Sequence, residues 1–136
     1  MQKILDKQQL SNDVFLLRVH APLIAEERSP GQFVIVSVDE EYGERIPLTI
    51  ADADSEDGTI TLIFQRVGHS THHLSELEKG DLLPLVVGPL GTPTHVEKVG
   101  TVVCVGGGIG VAPLHPIAEA LHNAGNRLST ILGARS

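Results

Sequence analysis

The first part of the chain alternates apolar and polar side chains with the two-residue period of a β-strand. The alternation is clearest over 14–19, and short β-branched or apolar runs follow at 33–38, 46–50, 59–65 and 82–87. Several short strands separated by turn residues are typical of a small antiparallel barrel. The pattern therefore predicts a β-barrel at the start of the chain.

Turn residues mark the boundaries between these strands. Ser29-Pro30-Gly31 precedes the second run, and an acidic stretch ends in Asp57-Gly58, a pair that favours tight hairpins. Pro84 lies within the last run and has no backbone N–H to donate to a neighbouring strand. We therefore expect an edge strand or a bulge at Pro84.

One helical pattern interrupts the strands, over 72–79. Ser70 or Thr71 is predicted to cap its N-terminus, because a hydroxyl there accepts a free backbone N–H. Gly80 follows at a position where helices commonly end on glycine. The barrel is thus expected to carry one short helix.

A different pattern begins near the end of the chain. A continuous apolar strand over 101–105 runs into a glycine-rich turn, a helix is predicted to open on Pro113, and a second apolar strand follows over 128–132. Fully apolar strands on either side of a helix indicate a βαβ unit with parallel strands. We expect a barrel domain over 1–97 and a truncated, Rossmann-like α/β nucleotide-binding domain over 98–136.

Composition narrows the function classes. The 136 residues carry a formal net charge of −7, which argues against nucleic acid as a partner. Cys104 is the single cysteine, so this chain alone cannot supply the ligands of an iron–sulfur cluster. No apolar run is long enough to predict a membrane span, and a cytoplasmic protein is the expectation.

The glycine-rich turn is the strongest candidate for chemistry. Residues 106–113 read Gly-Gly-Gly-Ile-Gly-Val-Ala-Pro, and Val111 interrupts a strict G-x-G-x-x-G spacing. Glycines let the backbone approach an anion, and a helix N-terminus supplies partial positive charge. Any tight strand-to-helix turn uses glycine, but this density of glycines favours a nucleotide. NAD, NADP and other nucleotides stay open, and Arg135 is either a phosphate contact or an ordinary surface residue.

Two further segments could meet an anion or a flat ring. Gly68-His69-Ser70-Thr71 offers free N–H groups and two hydroxyls at a helix start, although plain helix capping is the favoured interpretation of this segment in isolation. Within 45–50, Arg45 could pair with a diphosphate, Leu48 offers an apolar surface and Thr49 a hydroxyl. In isolation, a strand with an exposed arginine is the favoured interpretation of this segment as well.

The remaining reactive side chains predict neither a metal site nor a catalytic group. His69, His72 and His73 have a helical spacing that could suggest metal ligands, but no second ligand cluster lies near them in sequence. No Ser/His/Asp or Cys/His arrangement is indicated. Cys104 lies inside an apolar strand and is expected to be a small buried residue.

Taken in order, these segments resemble the ferredoxin–NADP reductase superfamily. The resemblance covers the whole chain, and the segments that carry it are Pro30 to Phe33, Arg45 to Ile50, Gly68 to Asp81, Gly88 to Gly91 and Gly106 to Pro113. The most similar branches are the small flavoprotein subunits of sulfide dehydrogenase and of NADH-dependent reduced ferredoxin:NADP oxidoreductase, with the electron-transfer subunits of dihydroorotate dehydrogenase close by. The resemblance implies a Greek-key FAD-binding barrel followed by an NAD(P)-binding α/β domain.

The same resemblance implies roles for individual residues. Leu48 would lie against the isoalloxazine ring, Thr49 would reach its N5 edge and Arg45 would approach the diphosphate. Ser70 and Thr71 would hold the FAD phosphates. The implied FAD set is Arg45, Pro47, Leu48, Thr49, Gln65, Gly68, Ser70 and Thr71, and the implied NAD(P)H set is Gly106, Gly107, Gly108, Ile109, Gly110, Ala112 and Pro113.

The chain departs from the family pattern in its ring-binding motif and in its cysteines. Leu48 and Thr49 stand where the superfamily has tyrosine and serine, and Ile46 occupies the arginine position, with Arg45 one residue upstream. Relatives in this branch carry a cysteine cluster for a [2Fe–2S] centre that has no counterpart here. Such a centre is therefore expected only in a missing tail or in a partner.

The implied function is that of an electron-transfer flavoprotein subunit. FAD would pass electrons between NAD(P)H and an iron–sulfur centre, with a larger flavin or iron–sulfur oxidoreductase subunit as partner. Two alternatives stay open: the electron-transfer subunit of dihydroorotate dehydrogenase, and a non-catalytic module that binds flavin or nucleotide. This 136-residue chain alone is expected to be inactive, and its exposed βαβ unit is expected to pair with a neighbouring molecule or to lean on the barrel.

Overall fold

The alternating first part of the chain folds into one antiparallel sheet, and the last part forms a separate parallel pair. The computed structural model describes residues 2–40 and 44–134, so the candidate phosphate contact Arg135 lies outside the described residues. The strands are β1 (Gln2–Gln9), β2 (Val14–His20), β3 (Phe33–Ser37), β4 (Arg45–Asp54), β5 (Thr59–Gln65), β6 (Leu82–Leu83), β7 (Leu85–Leu90), β8 (Thr101–Gly107) and β9 (Arg127–Gly133). The helices are α1 (Pro22–Glu27), α2 (His69–Glu76) and α3 (Val111–Asn123), with a 3₁₀ turn at Gly108–Gly110.

The seven-stranded sheet closes on itself at Pro84. Its strand order is β6-β1-β2-β5-β4-β3-β7, so the first and last strands are consecutive in the chain. β6 pairs with β1 and β7 pairs with β3, with only Pro84 between them. Proline has no N–H for a strand ladder, so the chain changes partner strand at this residue. Pro84, where an edge strand or a bulge was expected, therefore lies between the two end strands of the sheet.

Side-chain alternation separates the barrel core from its surface. On β2, Phe15, Leu17 and Val19 are buried, whereas the alternate positions are more exposed. Other fully buried side chains come from the remaining barrel strands and from α2: Ile4, Val34, Val36, Ile60, Leu62, Leu74 and Leu83. The predicted fold class, an antiparallel barrel followed by a small parallel sheet, is confirmed.

Two elements of the barrel were not predicted. β1 is largely polar and pairs with β2 on one side and β6 on the other. α1 has only six residues and begins with Pro22 in its first turn. The barrel therefore carries α1 in addition to the expected helix.

The predicted limits of α2 need correction. Gly68, and not Ser70 or Thr71, is its N-cap, and the helix ends at Glu76 with Leu77 as C-cap. Gly80 lies in the following turn with φ of 96°, where its N–H donates to the Ile4 carbonyl at 2.8 Å. The positive φ favours glycine at position 80, in a turn that is hydrogen-bonded to β1.

The βαβ unit forms with parallel strands, as predicted. β8 and β9 pair from Thr101↔Arg127 to Gly107↔Gly133. α3 begins at Val111, two residues before the expected Pro113, because a 3₁₀ turn leads into it. Cys104 is 5% exposed, as expected for a small buried residue.

One face of the parallel pair is largely uncovered. Val103 is 57%, Val105 68% and Ile131 58% exposed. Apolar strands of a parallel sheet are ordinarily covered on both faces. Here α3 packs against β8 and β9 and also against β4 of the barrel. Within the described ranges, no helix has the length and apolar character needed to cross a membrane.

A buried amide ties the entry of β8 to the end of α3. Asn126 is 5% exposed, and its Oδ1 accepts the N–H groups of Val99 at 2.7 Å and Gly100 at 3.0 Å. Its Nδ2 donates to the carbonyls of Glu97 and Leu121, each at 2.9 Å. All side-chain hydrogen-bonding groups of Asn126 are thus used to fix the start of the βαβ unit.

Candidate functional site

The alternation along β4 decides which candidate side chains face outward. Arg45 and Pro47 are exposed and Thr49 is half-buried, whereas Ile46 and Leu48 belong to the barrel core. Leu48 is only 9% exposed. Its expected contact with a flavin ring is therefore limited to a small remaining surface, and Pro47 and Thr49 are the accessible positions of this strand.

The start of β4 and the start of α2 meet directly. Glu44, the residue before β4, accepts a hydrogen bond from the Ser70 hydroxyl, with 2.5 Å between Ser70 Oγ and Glu44 Oε2. β5 runs antiparallel to β4 and ends at Gln65, just before this helix start. The structure therefore brings together the three segments proposed for FAD from the resemblance: the start of β4, Gln65 and Gly68 to Thr71.

The Thr71 hydroxyl is already engaged by the backbone. Its Oγ1 accepts the N–H groups of Val67 and Gly68, each at 3.0 Å, and donates to the Gly68 carbonyl at 3.1 Å. This arrangement satisfies N–H groups that a helix start otherwise leaves free. Thr71 thus shapes the helix start, while the Ser70 hydroxyl points to Glu44.

Gly68 has no internal reason to be glycine. Its φ of −143° is open to any residue. A methyl group placed on it would have no atom within 4 Å. The space beside this backbone is therefore open, next to the free N–H groups and the positive end of the dipole of α2. An anion can approach the backbone here more closely than a side chain would allow.

A shallow recess of about 390 Å³ adjoins this helix start and adds residues that the sequence interpretation missed. Its walls are Arg66, Val67, Gly68, His69 and His72. The Arg66 guanidinium donates to the Asn12 carbonyl at 3.0 Å and lies 5.3 Å from the centre of the Phe15 ring. In the sequence, the signal for including Arg66 in the site was its positive charge two positions before Gly68.

A second recess lies on the other side of His69. It has about 190 Å³ and is lined by Asp39, Glu44, His69 and His73. Although carboxylates and imidazoles meet here, no group of His, Cys, Asp or Glu side chains among the described residues could hold a metal ion. Of the three histidines with helical spacing, His69 and His72 line the first recess, and His69 and His73 line the second.

The glycines at the end of β8 and in the turn after it divide into two kinds. A methyl group on Gly106 would lie 2.7 Å from Leu114 Cδ2, and Gly108 has φ of 55°, so both have internal reasons to be glycine. Gly107 and Gly110 have ordinary φ values of −139° and −64°. A methyl group on Gly110 would meet nothing within 4 Å, and one on Gly107 would make only an ordinary contact with the Gly133 carbonyl.

The glycine turn faces the barrel across a mainly apolar cavity of about 450 Å³. The turn and α3 contribute Gly108, Ile109, Val111, Ala112 and His115. The barrel contributes Leu10, Val14, Leu16, Ala51, Asp52, Thr61 and Ile63. Its volume falls in the range of small-molecule pockets, roughly 300–1,000 Å³. The glycine turn therefore lies opposite β2, β4 and β5 across this cavity, whereas Gly68 lines a separate recess.

Known proteins provide the remaining comparison. No protein-family model matches the chain. A Thermotoga maritima protein described as a dihydroorotate dehydrogenase B (NAD(+)) electron transfer subunit homolog is 46% identical over 136 residues, which is all of this chain and 48% of that protein. A solved structure of NADH-dependent reduced ferredoxin-NADP oxidoreductase, studied for flavin-based electron bifurcation, superimposes with a TM-score of 0.96. It is 46% identical and covers all of this chain and 49% of that one.

The chain belongs to the ferredoxin–NADP reductase superfamily. Within it, the dihydroorotate dehydrogenase B (NAD(+)) electron transfer subunit of Fusobacterium nucleatum is 33% identical over 133 residues, covering 94% of this chain and 51% of that protein. The chain thus spans about half the length of these relatives. The family expected from the ordered motifs is confirmed, and its relatives are oxidoreductase subunits that transfer electrons.

Proposed function

We propose that this superfamily member is the FAD-binding barrel of an electron-transfer flavoprotein, together with the start of its NAD(P)H-binding domain. The proposed division falls between 1–97 and 98–136. The main support for the proposal comes from Gly68 and Gly110, which lie at the starts of α2 and α3. Neither the backbone angles nor the packing require glycine at these two positions, so the space beside them is accessible to a ligand. Glycine at such positions is explained by the close approach of a phosphate group to the backbone.

The residues present fit an FAD molecule. The first turn of α2 offers N–H groups and the Ser70 hydroxyl to a diphosphate, and Arg66 lies in the adjoining recess. Pro47 and Thr49 present an outward face for a flat ring, and Gln65 is exposed at the end of β5. Bound FAD would supply hydride acceptance from a nicotinamide and transfer of single electrons.

The chain's own contribution is binding and orientation. The helix dipole of α2 favours negative charge at the helix N-terminus. Thr71 stabilises the conformation of this N-terminus, because its hydroxyl oxygen accepts two backbone N–H groups. The mainly apolar cavity beside Ile109 offers an apolar surface between the glycine turn and the barrel. Gly106 to Pro113 would hold the NAD(P)H diphosphate at the start of α3. No side chain is assigned an acid or base role.

The electron partner is proposed from chemistry and from the relatives. Cys104 is buried and is the single cysteine of the chain, so a [2Fe–2S] centre would need ligands from another polypeptide segment or subunit. We propose a larger flavin or iron–sulfur oxidoreductase subunit as the partner. The names of the relatives favour a second candidate, the electron-transfer subunit of dihydroorotate dehydrogenase. The catalytic subunit that copurifies with the protein distinguishes the two.

The proposal is tested by loading the purified chain with FAD and separating free flavin by gel filtration. Flavin absorbance that elutes with the protein in a one-to-one ratio is expected. Because FAD binding does not depend on the nucleotide domain in this account, the barrel suffices for this result. Elution of all flavin in the free fraction would contradict the proposed function.

A further inference from the structure

A carboxylate of the chain occupies the helix start that is proposed to hold the FAD diphosphate. Glu44 Oε2 lies 2.5 Å from Ser70 Oγ, a short hydrogen bond in which the hydroxyl donates. Ser70 is the second residue of α2, so this hydrogen bond connects the Glu44 carboxylate to the first turn of the helix. Glu44 comes from a different element, 26 positions earlier in the chain.

The Glu44 carboxylate accepts the same hydroxyl proton that a phosphate oxygen at this helix start would accept. A helix start favours negative charge, and a carboxylate that accepts a hydroxyl there is a chemical stand-in for phosphate. The Ser70 hydroxyl has one proton, so it can donate to Glu44 or to a phosphate but not fully to both. Two anions at this short distance also repel each other.

We propose that Glu44 is a built-in competitor at the FAD site, whose hydrogen bond with the Ser70 hydroxyl must break when the diphosphate binds. This inference rests on the proposed function, since it concerns the same site. The competition lowers the affinity for FAD and keeps the helix start satisfied in the absence of the cofactor. Glu44 is thus a residue that sets affinity and not one that contacts the reacting ring.

The residues around Glu44 favour movement of its carboxylate away from Ser70 when a diphosphate binds. Asp39 lines the same recess and adds negative charge, which disfavours the simultaneous presence of Glu44 and a diphosphate. His69 and His73 line it as well and offer ring N–H groups to a carboxylate that has left Ser70. A move of the Glu44 side chain within this recess is therefore sufficient, without a change in the fold.

The test compares FAD binding to the wild-type chain, Glu44→Gln and Glu56→Gln by isothermal titration calorimetry. Glu44→Gln keeps the size of the side chain and removes its charge. Glu56→Gln removes the same charge on the exposed hairpin between β4 and β5, as a control for net charge. We expect Glu44→Gln to bind FAD about tenfold more tightly, as loss of one competing charged hydrogen bond implies, and Glu56→Gln to match the wild type.

The outcomes separate this inference from the proposed function. If the wild type binds FAD and Glu44→Gln binds equally or less tightly, Glu44 is not a competitor, although the flavin site stands. If none of the three proteins binds FAD, both proposals are wrong. A crystal structure with FAD adds a direct readout: a phosphate oxygen in place of the carboxylate at Ser70 supports the inference, and an intact Glu44–Ser70 bond overturns it.

Discussion

Individual glycines distinguish the parts of the chain that serve folding from those available to a ligand. Gly31 has φ of 92°, and a methyl group on it would collide with Thr94 Oγ1. Gly68 and Gly110 have ordinary backbone angles and open surroundings. Sequence alone does not separate these two kinds, because each of these glycines lies just before a strand or a helix. The difference becomes visible only when the space around each Cα is known.

Gly68→Ala should leave the fold intact and weaken FAD binding. The methyl group meets no protein atom, so the free energy of unfolding should change by at most about 1 kcal/mol. It would occupy the space through which a phosphate reaches the backbone, so FAD affinity should fall by about tenfold or more. Urea unfolding and FAD titration measure the two effects.

Gly31→Ala is the matched control for this substitution. Its positive φ and the collision with Thr94 predict a loss of about 1–3 kcal/mol in unfolding free energy. A Gly68→Ala protein that is as unstable as Gly31→Ala, or that binds FAD like the wild type, would show that Gly68 serves the fold alone.

Thr71→Val should affect both stability and flavin binding. The substitution removes the oxygen that accepts the N–H groups of Val67 and Gly68. The loss of such a cap costs about 1 kcal/mol, and the loosened helix start should also bind FAD less tightly. Thr71→Ser retains the hydroxyl and should preserve both properties. Thermal unfolding with and without FAD tests this, and an unchanged Thr71→Val protein would contradict it.

At the scale of elements, the strands with clear alternation were predictable and the others were not. β2 and β5 match their sequence patterns, since one set of alternate side chains is buried in each. β1 is mostly polar, and its strand conformation results from pairing with neighbours on both sides. α1 is too short to display a helical period, although Pro22 in its first turn was a signal.

The candidate site was predictable as a set of segments but not in its side-chain directions. The motif around Arg45 and the helix start at Gly68 do lie together, joined by the Glu44–Ser70 bond. The orientation of Leu48 follows from the pairing register of β4, which a single sequence does not display. The N-cap of α2 was misplaced because Thr71 bonds backward from the third helical position.

Asn126→Asp should loosen the βαβ unit without affecting the barrel. Aspartate keeps an acceptor for Val99 and Gly100 but loses both donors, and it places an oxygen near the Glu97 and Leu121 carbonyls. The local stability of β8 and β9 should fall by roughly 2 kcal/mol. Hydrogen exchange should accelerate at these strands and stay unchanged in β2 and β5.

Asn123→Asp, at the exposed last residue of α3, is the control and should have no such effect. Equal exchange rates in β8 for Asn126→Asp and the wild type would mean that the buried amide does not hold this unit in place.

At the scale of the whole molecule, we expect the 136-residue chain to bind flavin but not to reduce it at a useful rate with NADH or NADPH. The part proposed to bind the nucleotide consists of β8, α3 and β9, and one face of its sheet exposes Val103, Val105 and Ile131. A nicotinamide nucleotide bound at the glycine turn would thus be supported on one side only. Stopped-flow absorbance measures the reduction, and rapid bleaching of the flavin by either nucleotide would show that the βαβ unit suffices.

The central claim is that the start of α2 binds the diphosphate of FAD. The most direct measurement is isothermal titration calorimetry of the chain with FAD and, separately, with FMN, which lacks the diphosphate and the adenosine. FAD is expected to bind at least about tenfold more tightly than FMN, since it adds a phosphate group next to free backbone N–H groups. Equal affinities for FAD and FMN, or no binding of FAD, would contradict it.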